Sequence, residues 1–466
     1  MKILLINTNT IKPAIAPVGL EYVAEYLKSH HVNIITIDLS FQPESEIEKA
    51  VKNTFPDFIG INIRNLDDCR FQSKTFFLPE IKKIVTRLKK ITDAPIIAGG
   101  GGFSVSPESA LEYLGLDYGI CRDGEEAMLS FIESFKNPET IPNLIYKKDG
   151  IYIRNKQQFF DLRKLNPERT VFDNKRYFNE GGMGSVETKR GCIKDCIYCV
   201  DYLTKGKCLR LREPKSVVKE MEKLYEMGIT HFHLCDSEFN IPHYHAVLIC
   251  QALIKSDLSN NIKWYCYCSP KEFDYELAKM MVNAGCAGIN FGVDSASEDI
   301  LTLLKRDFTS LDLVNTAETC HRYEIPFMYD LLFGVPGENE RTINETIELM
   351  KKIKPTIVGT AIGVRLYNKT PMTELVKDLL AKGAVKKDCL YGDVANNDDF
   401  LKPVFYISPV LGEDIFETVE KFIDGDKRFI FSYGKKNYNY NSNKVLINAI
   451  KEGSRGAYWD ILRKIK

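Results

Sequence analysis

Two apolar patterns alternate along the chain, and between them they predict most of its elements. Short unbroken apolar runs read as strands buried on both faces: Lys2-Ile-Leu-Leu-Ile-Asn7, Asn33-Ile-Ile-Thr-Ile-Asp38, Phe58-Ile-Gly-Ile-Asn-Ile63, Pro95-Ile-Ile-Ala98 and Asp117-Tyr-Gly-Ile-Cys121. Between the first two, Leu20, Val23, Ala24 and Leu27 recur at i, i+3, i+4 and i+7, which predicts an amphipathic helix opened by Pro17. Strand–helix alternation of this kind predicts an α/β fold, here a Rossmann-like (flavodoxin-like) parallel-sheet domain over residues 1–140. After a linker at 141–180 the alternation restarts in longer units. Strands are expected at Ser185-Val-Glu-Thr-Lys189, Thr230-His-Phe-His-Leu-Cys235, Lys263-Trp-Tyr-Cys-Tyr-Cys268, Gly288-Ile-Asn-Phe-Gly-Val293, Phe327-Met-Tyr-Asp-Leu-Leu-Phe333 and Val358-Gly-Thr-Ala-Ile-Gly-Val-Arg365. Helices fall between them, one with Val217, Val218, Met221 and Leu224 inward, another with Leu277, Met280, Met281 and Ala284 ahead of Gly285. Six such units over 181–370 predict a partial (β/α)6 TIM-type barrel. Residues 371–466 are expected to form a small α-rich domain that closes the barrel and the substrate pocket.

Ligands on both architectures bind at the carboxyl ends of the strands. In the first domain those ends carry Asn7, Thr8 and Thr10, then Arg64 and Asn65, then the run Gly99, Gly100, Gly101 and Gly102, and the turn Asp123-Gly124-Glu125-Glu126. Consecutive glycines let a backbone approach a large ligand. In the barrel the ends carry Asp236 and Glu238, Asp294 and Ser295, the turn Gly334-Val-Pro-Gly-Glu338, and Val364-Arg365-Leu-Tyr367. Taken singly, each also suits a solvated loop or a helix cap, as Ser295 and Glu338 would be.

Composition narrows the class. Lys+Arg and Asp+Glu are both 63, so no net field favours nucleic acid or an anionic membrane surface. The chain has no run of 18 apolar residues, so no membrane span is expected. The first apolar run meets polar residues at once, unlike a secretory leader, and 13 cysteines in that setting predict a reducing cytoplasm.

Three of those cysteines carry chemistry. Cys192, Cys196 and Cys199 stand in the spacing C-x3-C-x2-C directly after the first barrel strand. Three thiolates so close can wrap one face of a four-iron cluster, which leaves one iron open for a further ligand. A structural zinc site would need a second knuckle nearby; Cys266 and Cys268 alternate within a strand and suit the core instead.

The loop, with Tyr198 ahead of its last cysteine, resembles the cluster loop of the radical S-adenosylmethionine (radical SAM) superfamily. Combined with the upstream five-strand domain, the helix after Pro17 and the Asp123-Gly-Glu-Glu126 turn, the chain resembles the cobalamin (B12)-binding branch, and within it the B12-dependent radical SAM methyltransferases, over residues 1–410. The resemblance implies a [4Fe-4S] cluster on Cys192, Cys196 and Cys199. It implies SAM on the open iron, near Tyr198, Asp236, Glu238, Asp294, Ser295, Val364 and Arg365. It implies cobalamin, as methylcobalamin, against Asn7, Thr8, Thr10, Arg64, Asn65, Gly99, Gly100, Gly101, Gly124 and Glu125. One departure matters: the chain lacks D-x-H-x-x-G, and its nearby His30 and His31 sit at a helix end, so the cobalt is expected to lack a histidine ligand, with Arg64 and Asn65 near its lower face. The segment 401–409 resembles one found after the barrel in several cobalamin-dependent members, and the aromatic stretch 429–440 suits packing or substrate stacking equally.

The implied activity is transfer of a SAM-derived methyl group, through cobalamin, to a carbon of a small-molecule or peptide substrate, with flavodoxin or ferredoxin as electron donor. Ring formation or rearrangement on the same two domains is the alternative. An iron–sulfur electron-transfer or redox-sensing protein is the alternative of another class, although an electron carrier has no use for a SAM pocket.

Overall fold

The apolar runs pair as their burial demands. In a computed structural model, which describes residues 1–432 and 439–465, β1 (Lys2–Asn7), β2 (Asn33–Asp38), β3 (Phe58–Asn62), β4 (Ile96–Gly99) and β5 (Tyr118–Ile120) form a parallel sheet in the order β2-β1-β3-β4-β5. That order is the flavodoxin-like one, with its switch point between β1 and β3. Ile3, Leu4, Leu5 and Ile6 have no exposure, so helices cover both faces of the central strand. The stretch assigned to a linker differs from expectation. Two further strands, β6 (Leu144–Lys148) and β7 (Ile151–Arg154), extend the sheet in antiparallel fashion from β5. Their charges (Lys147, Lys148 and Arg154) mask the strand pattern and suit the edge of a sheet.

The second sheet holds β8 (Gly184–Val186), and the two-residue strands β9 (Lys189–Arg190) and β10 (Arg210–Leu211) pair beside the cysteine loop. Then follow β11 (His231–Leu234), β12 (Lys263–Cys268), β13 (Cys286–Asp294), β14 (Phe327–Phe333) and β15 (Ile357–Ile362). Beyond the barrel, β16 (Val364–Arg365), β17 (Leu390–Gly392) and β18 (Val404–Tyr406) make a small antiparallel sheet, and β19 (Phe429–Ile430) returns to the barrel. The order β8-β11-β12-β13-β14-β15-β19 is parallel throughout, so six expected strands gain a seventh at the open edge. The region after 371 is therefore mixed, with helices Pro371–Ala381, Ile415–Ile423, Lys444–Lys451 and Tyr458–Ile465 around these strands. Of the aromatic stretch 429–440, Tyr433 and Tyr438 lie outside the described residues. No described helix is long and apolar enough to cross a membrane.

The barrel helices follow their patterns. Pro214–Glu226 buries Val217, Val218, Met221 and Leu224; Tyr275–Asn283 buries Leu277 and Met281 and half-buries Met280. Cys266 and Cys268 are core residues, as their alternation suggested. Helix Val18–Ser29 buries Ala24 and Leu27 as expected, but Leu20 and Val23 stay half-buried while Glu21, Tyr22 and Glu25 go inside. The cause is Arg169. Its Nε donates to Glu21 at 2.7 Å, Nη1 to Glu220 at 2.6 Å and Nη2 to Asn174 at 2.8 Å. Arg212 donates to the other oxygen of Glu220 at 2.6 Å, and the Tyr22 hydroxyl to Glu220 at 2.9 Å. Burial lifts the Glu21 carboxyl above its usual range, whereas at Glu220 burial is outweighed by Arg212 and Arg169, which hold it low. A helix of the first sheet is thus tied to a helix of the barrel by charge.

Replacing Arg169 by Leu leaves two buried carboxylates short of a partner. The expected loss is about 3–5 kcal/mol, read as a lower denaturant midpoint, with Arg169→Lys losing less. An unchanged midpoint in Arg169→Leu would show that this network does not hold the domains together.

Candidate functional site

A cavity of about 720 Å³ lies between the carboxyl ends of β3, β4 and β5 and the face of the barrel. Its floor follows from the glycine run. At Gly100 (φ +106°) a Cβ would fall 2.5 Å from Asn62 Oδ1 and 2.6 Å from the Ile63 carbonyl oxygen; at Gly102 it would fall 2.6 Å from the Asn65 backbone. Glycine is required here because the turn after β4 presses on the turn after β3, and the result is a bare backbone shelf beside Arg64 and Asn65. The Arg64 guanidinium has no hydrogen bond or ion pair among the described residues, and burial lowers its pKa. It is a cation facing the cavity. At the other side Glu125 is held by Arg190 at 2.7 Å, and Arg190 also reaches Glu187 at 2.8 Å and Asp123 at 3.2 Å. Arg210 also pairs with Asp123.

Arg64, Asn65, Gly99, Gly100, Gly101, Gly124 and Glu125 line this space; Asn7, Thr8 and Thr10 do not. Helix Asn174–Gly181 covers the end of β1. There the Asn7 amide donates to Asp38 at 2.9 Å and to the Tyr177 hydroxyl at 3.0 Å, and Thr8 donates to the Asn62 carbonyl at 2.6 Å. Size, a glycine shelf and one unpaired cation fit a large, polar-edged ligand such as cobalamin.

The cysteine loop forms an adjoining wall. Gly191 (φ +104°) opens it, since a Cβ would lie 2.0 Å from the Cys208 carbonyl oxygen. Arg306 Nη1 donates to Cys196 Sγ at 2.9 Å, and the Asp201 backbone N–H to Cys199 Sγ at 3.5 Å. Burial pushes the Cys192 thiol up, and pushes Cys196 up to about 11 and Cys199 up to about 12. Such thiols ionise when a metal takes the proton's place, and donors already aimed at sulfur stabilise the thiolates. The donor set therefore fits an iron–sulfur cluster. Val200, Asp201, Thr204 and Lys205 follow the last cysteine and line the cavity.

The residues expected around SAM divide by their partners. Tyr198 donates to Asp294 at 2.7 Å, and Asp294 (φ +66°), at a shift in the β13–β14 register, also meets Arg306 Nε at 3.3 Å. Asp236 is buried and takes four donors: the Thr188 N–H at 2.8 Å, the Thr188 hydroxyl at 2.5 Å, the Lys189 N–H at 3.2 Å and Lys189 Nζ at 3.3 Å. Ser295 Oγ meets Thr346 Oγ1 at 2.9 Å. Arg365 donates to Asp67 at 2.9 Å and to the Phe400 and Leu401 carbonyls at 3.1 Å, while Val364 packs in a core with Ile197 and Tyr406. These polar groups are occupied by the protein itself. Glu238 differs: its Oε2 is buried without a hydrogen-bond partner, its nearest cation is Lys194 at 3.9 Å, and its charge raises Cys192 and Cys196.

The sequence did not single out His233, Cys235, Lys205 or Tyr267, which also line the cavity. His233 stays neutral, its pKa pushed down to about 4 by burial and by Lys205 and Arg64. The available signal was alternation: residues two apart on β11 and β12 share a face.

Comparison with known proteins places this geometry. Residues 186–350 match the Radical SAM superfamily and residues 4–132 the B12 binding domain. The chain is 27% identical over 445 residues to a tryptophan 2-C-methyltransferase of Streptomyces laurentii, covering 80% of this chain and 74% of that one. It is 24% identical to an uncharacterized methyltransferase of Pyrococcus horikoshii, covering 79% and 82%. The structure of the radical SAM methyltransferase TsrM from Kitasatospora setae, with tryptophan substrate and a SAM analog bound, superposes with a TM-score of 0.91 at 26% identity, over 100% of this chain and 99% of that one. The form with cobalamin and a [4Fe-4S] cluster gives 0.89, over 99% and 97%. With both domains in one polypeptide and this superposition over its whole length, the chain belongs to the cobalamin-binding branch of the radical SAM enzymes, alongside the B12-dependent methyltransferases.

Proposed function

We propose that this protein transfers a SAM-derived methyl group, by way of cobalamin, to a carbon of a small molecule. The observation that carries the proposal is one cavity walled by both the glycine shelf and the segment that follows the cysteine loop. When bound, SAM supplies the methyl group, cobalamin carries it and the cluster supplies electrons. The chain's part is to hold and to shield. Cys192, Cys196 and Cys199 would hold the cluster, and Tyr198, Asp294 and Arg306 fix the loop that bears them. Glu238, with its unpartnered oxygen, would take the SAM ammonium; Asp236, Ser295, Val364 and Arg365 would shape that pocket from behind. Arg64, Asn65, Gly99, Gly100, Gly101, Gly124 and Glu125 would hold cobalamin. Arg64 would face cobalamin as a cation without a protein partner among the described residues, and Asn7, Thr8 and Thr10 would support the sheet end. The cobalamin domain would run to β7, and the barrel would span 181–370 with β19 added at its edge by the region 371–466 that closes it. All 13 cysteines are free, which suits a reducing compartment and a flavodoxin or ferredoxin as donor.

Anaerobic reconstitution should give one four-iron cluster whose EPR signal shifts with SAM, and the triple Cys192, Cys196, Cys199→Ala variant should hold no iron. Retention of zinc instead of iron, or a cluster in the triple variant, overturns the assignment. Glu238→Gln should keep its iron and bind SAM about ten- to a hundredfold more weakly, since one charge-assisted contact is worth about 1.5–3 kcal/mol. Asp236→Asn should lose stability instead, because it breaks a buried pair with Lys189. The opposite assignment of effects would exchange their roles.

Protein purified with B12 should retain about one cobalamin per chain, with the absorption and EPR spectra of a form lacking a histidine ligand. Arg64→Ala should leave cobalamin bound but change its absorption and EPR spectra. If no cobalamin is retained after reconstitution, methyl transfer through cobalt is wrong.

A further inference from the structure

Inside the barrel, β12, β13 and β14 bring three polar side chains together. Tyr267 and Asn290 are register partners, and the Asn290 amide donates to Asp330 Oδ2 at 2.8 Å. The chain makes room for this carboxyl: a Cβ at Gly359, its neighbour on β15, would lie 2.1 Å from Asp330 Oδ1. Tyr267 keeps 40% of its surface although it sits within the barrel, because it lines the cavity, and the His233 ring meets its edge at 5.6 Å.

Asp330 contrasts with the carboxylates that brace this fold. Asp236 takes four donors and pairs with a lysine. Asp330 takes one, and among the described residues no Lys, Arg or His forms an ion pair with it. Its Oδ1 is neither hydrogen-bonded nor sealed from the open space. Burial, with a contribution from Asp294, pushes its pKa up to about 6, and its charge in turn raises Tyr267 and Tyr440, the latter on the segment after β19. A carboxylate kept without a counter-cation, held by the register partner of a tyrosine that lines the cavity, suits a cation that arrives with a ligand.

We propose that Asp330, held by Asn290 beside Tyr267, binds the ammonium group of an aromatic amine substrate inside the barrel. This rests on the methyltransferase reading for its substrate but is tested by binding alone. The charge argues for an ammonium over a neutral ring N–H, and the tyrosine and histidine rings argue for an aromatic body.

Calorimetric titration of the cobalamin- and cluster-loaded protein with tryptophan, tryptamine and indole-3-propionate, which lacks the amine, tests this. Asp330→Asn should weaken tryptophan and tryptamine by about tenfold or more and leave indole-3-propionate within about twofold. In the wild type, affinity for tryptamine should rise from about pH 5 to about pH 7. Asp330 binds as the carboxylate, so binding is gained as pH climbs through the raised pKa, while the amine stays protonated throughout. Of the groups facing Asp330, Tyr267 and Tyr440 titrate far higher, Asp294 is ion-paired with Arg306, and Arg70, beyond Tyr440, stays charged. This arm needs no variant, so a folding failure of Asp330→Asn leaves the test intact. Equal losses for amine and amine-free probes, pH-independent binding, or no binding of either amine would overturn the proposal. Methylation of the bound cobalamin by SAM without substrate, followed by absorbance, reports the methyltransferase reading separately. Its loss in the wild type sinks that reading while the amine-binding result stands or falls alone.

Discussion

Buried charge holds the two sheets in one arrangement, and the cavity exists only in that arrangement. Among the described residues, buried bridges cross between the first domain and the rest of the chain at three places: Arg169 with Glu21, Arg190 and Arg210 with Asp123 and Glu125, and Arg365 with Asp67. Each is nearly free of solvent. Replaced by apolar groups of similar volume, such pairs often cost nothing; with one partner removed they cost several kcal/mol. Their consequence here is specificity of placement. A shear between the domains would leave charges unmatched in the interior, so the glycine shelf and the cysteine loop cannot drift apart cheaply. An apolar interface of the same area would tolerate sliding more easily, because apolar contacts are non-directional.

The same bridges explain what was hard to read along the chain. Parallel strands buried on both faces announce themselves as apolar runs, so the first five strands and six of the barrel were legible. β6 and β7 were not, because edge strands carry lysine and arginine and imitate loops. Helix Val18–Ser29 misled in another way. Its periodicity points to Leu20, Val23, Ala24 and Leu27, and Ala24 and Leu27 are buried, but Glu21 and Glu25 are buried beside them, since their partners lie about 150 positions away at Arg169 and Thr170. A buried ion pair has no local signature: each half reads as an exposed charge until the fold brings the other to it.

The site shows the same division. The three cysteines were legible because their chemistry is contained in eight consecutive residues. The glycine run was legible as a place of close approach, but the sequence could not tell that Gly100 and Gly102 approach the protein's own turn at 62–65 rather than a ligand. Asp236 and Glu238, two residues apart at one strand end, look equivalent in sequence. Thr188 and Lys189 make them different by taking every lone pair of one and none of the other.

Counting donors therefore separates carboxylates that hold the fold from those left for a ligand. Glu338 falls between the two: one oxygen accepts the N–H groups of Gly334 and Val335 inside its own turn, the other, Oε1, is buried without a partner, and burial pushes its pKa up to about 8. It closes a turn, and it does not line the cavity. Asp330 has an equally apolar setting, in the run Phe-Met-Tyr-Asp-Leu-Leu-Phe, but its environment spares one oxygen and keeps Gly359 small beside it. A lone acid within an apolar strand is the signal that sequence offers. What turns it from an isolated charge into a binding group is its place on the barrel's inner face, held by Asn290, whose register partner Tyr267 lines the cavity walled by the glycine shelf and the segment after the cysteine loop. A small molecule held there by its cation would meet both cofactors without leaving the shielded space.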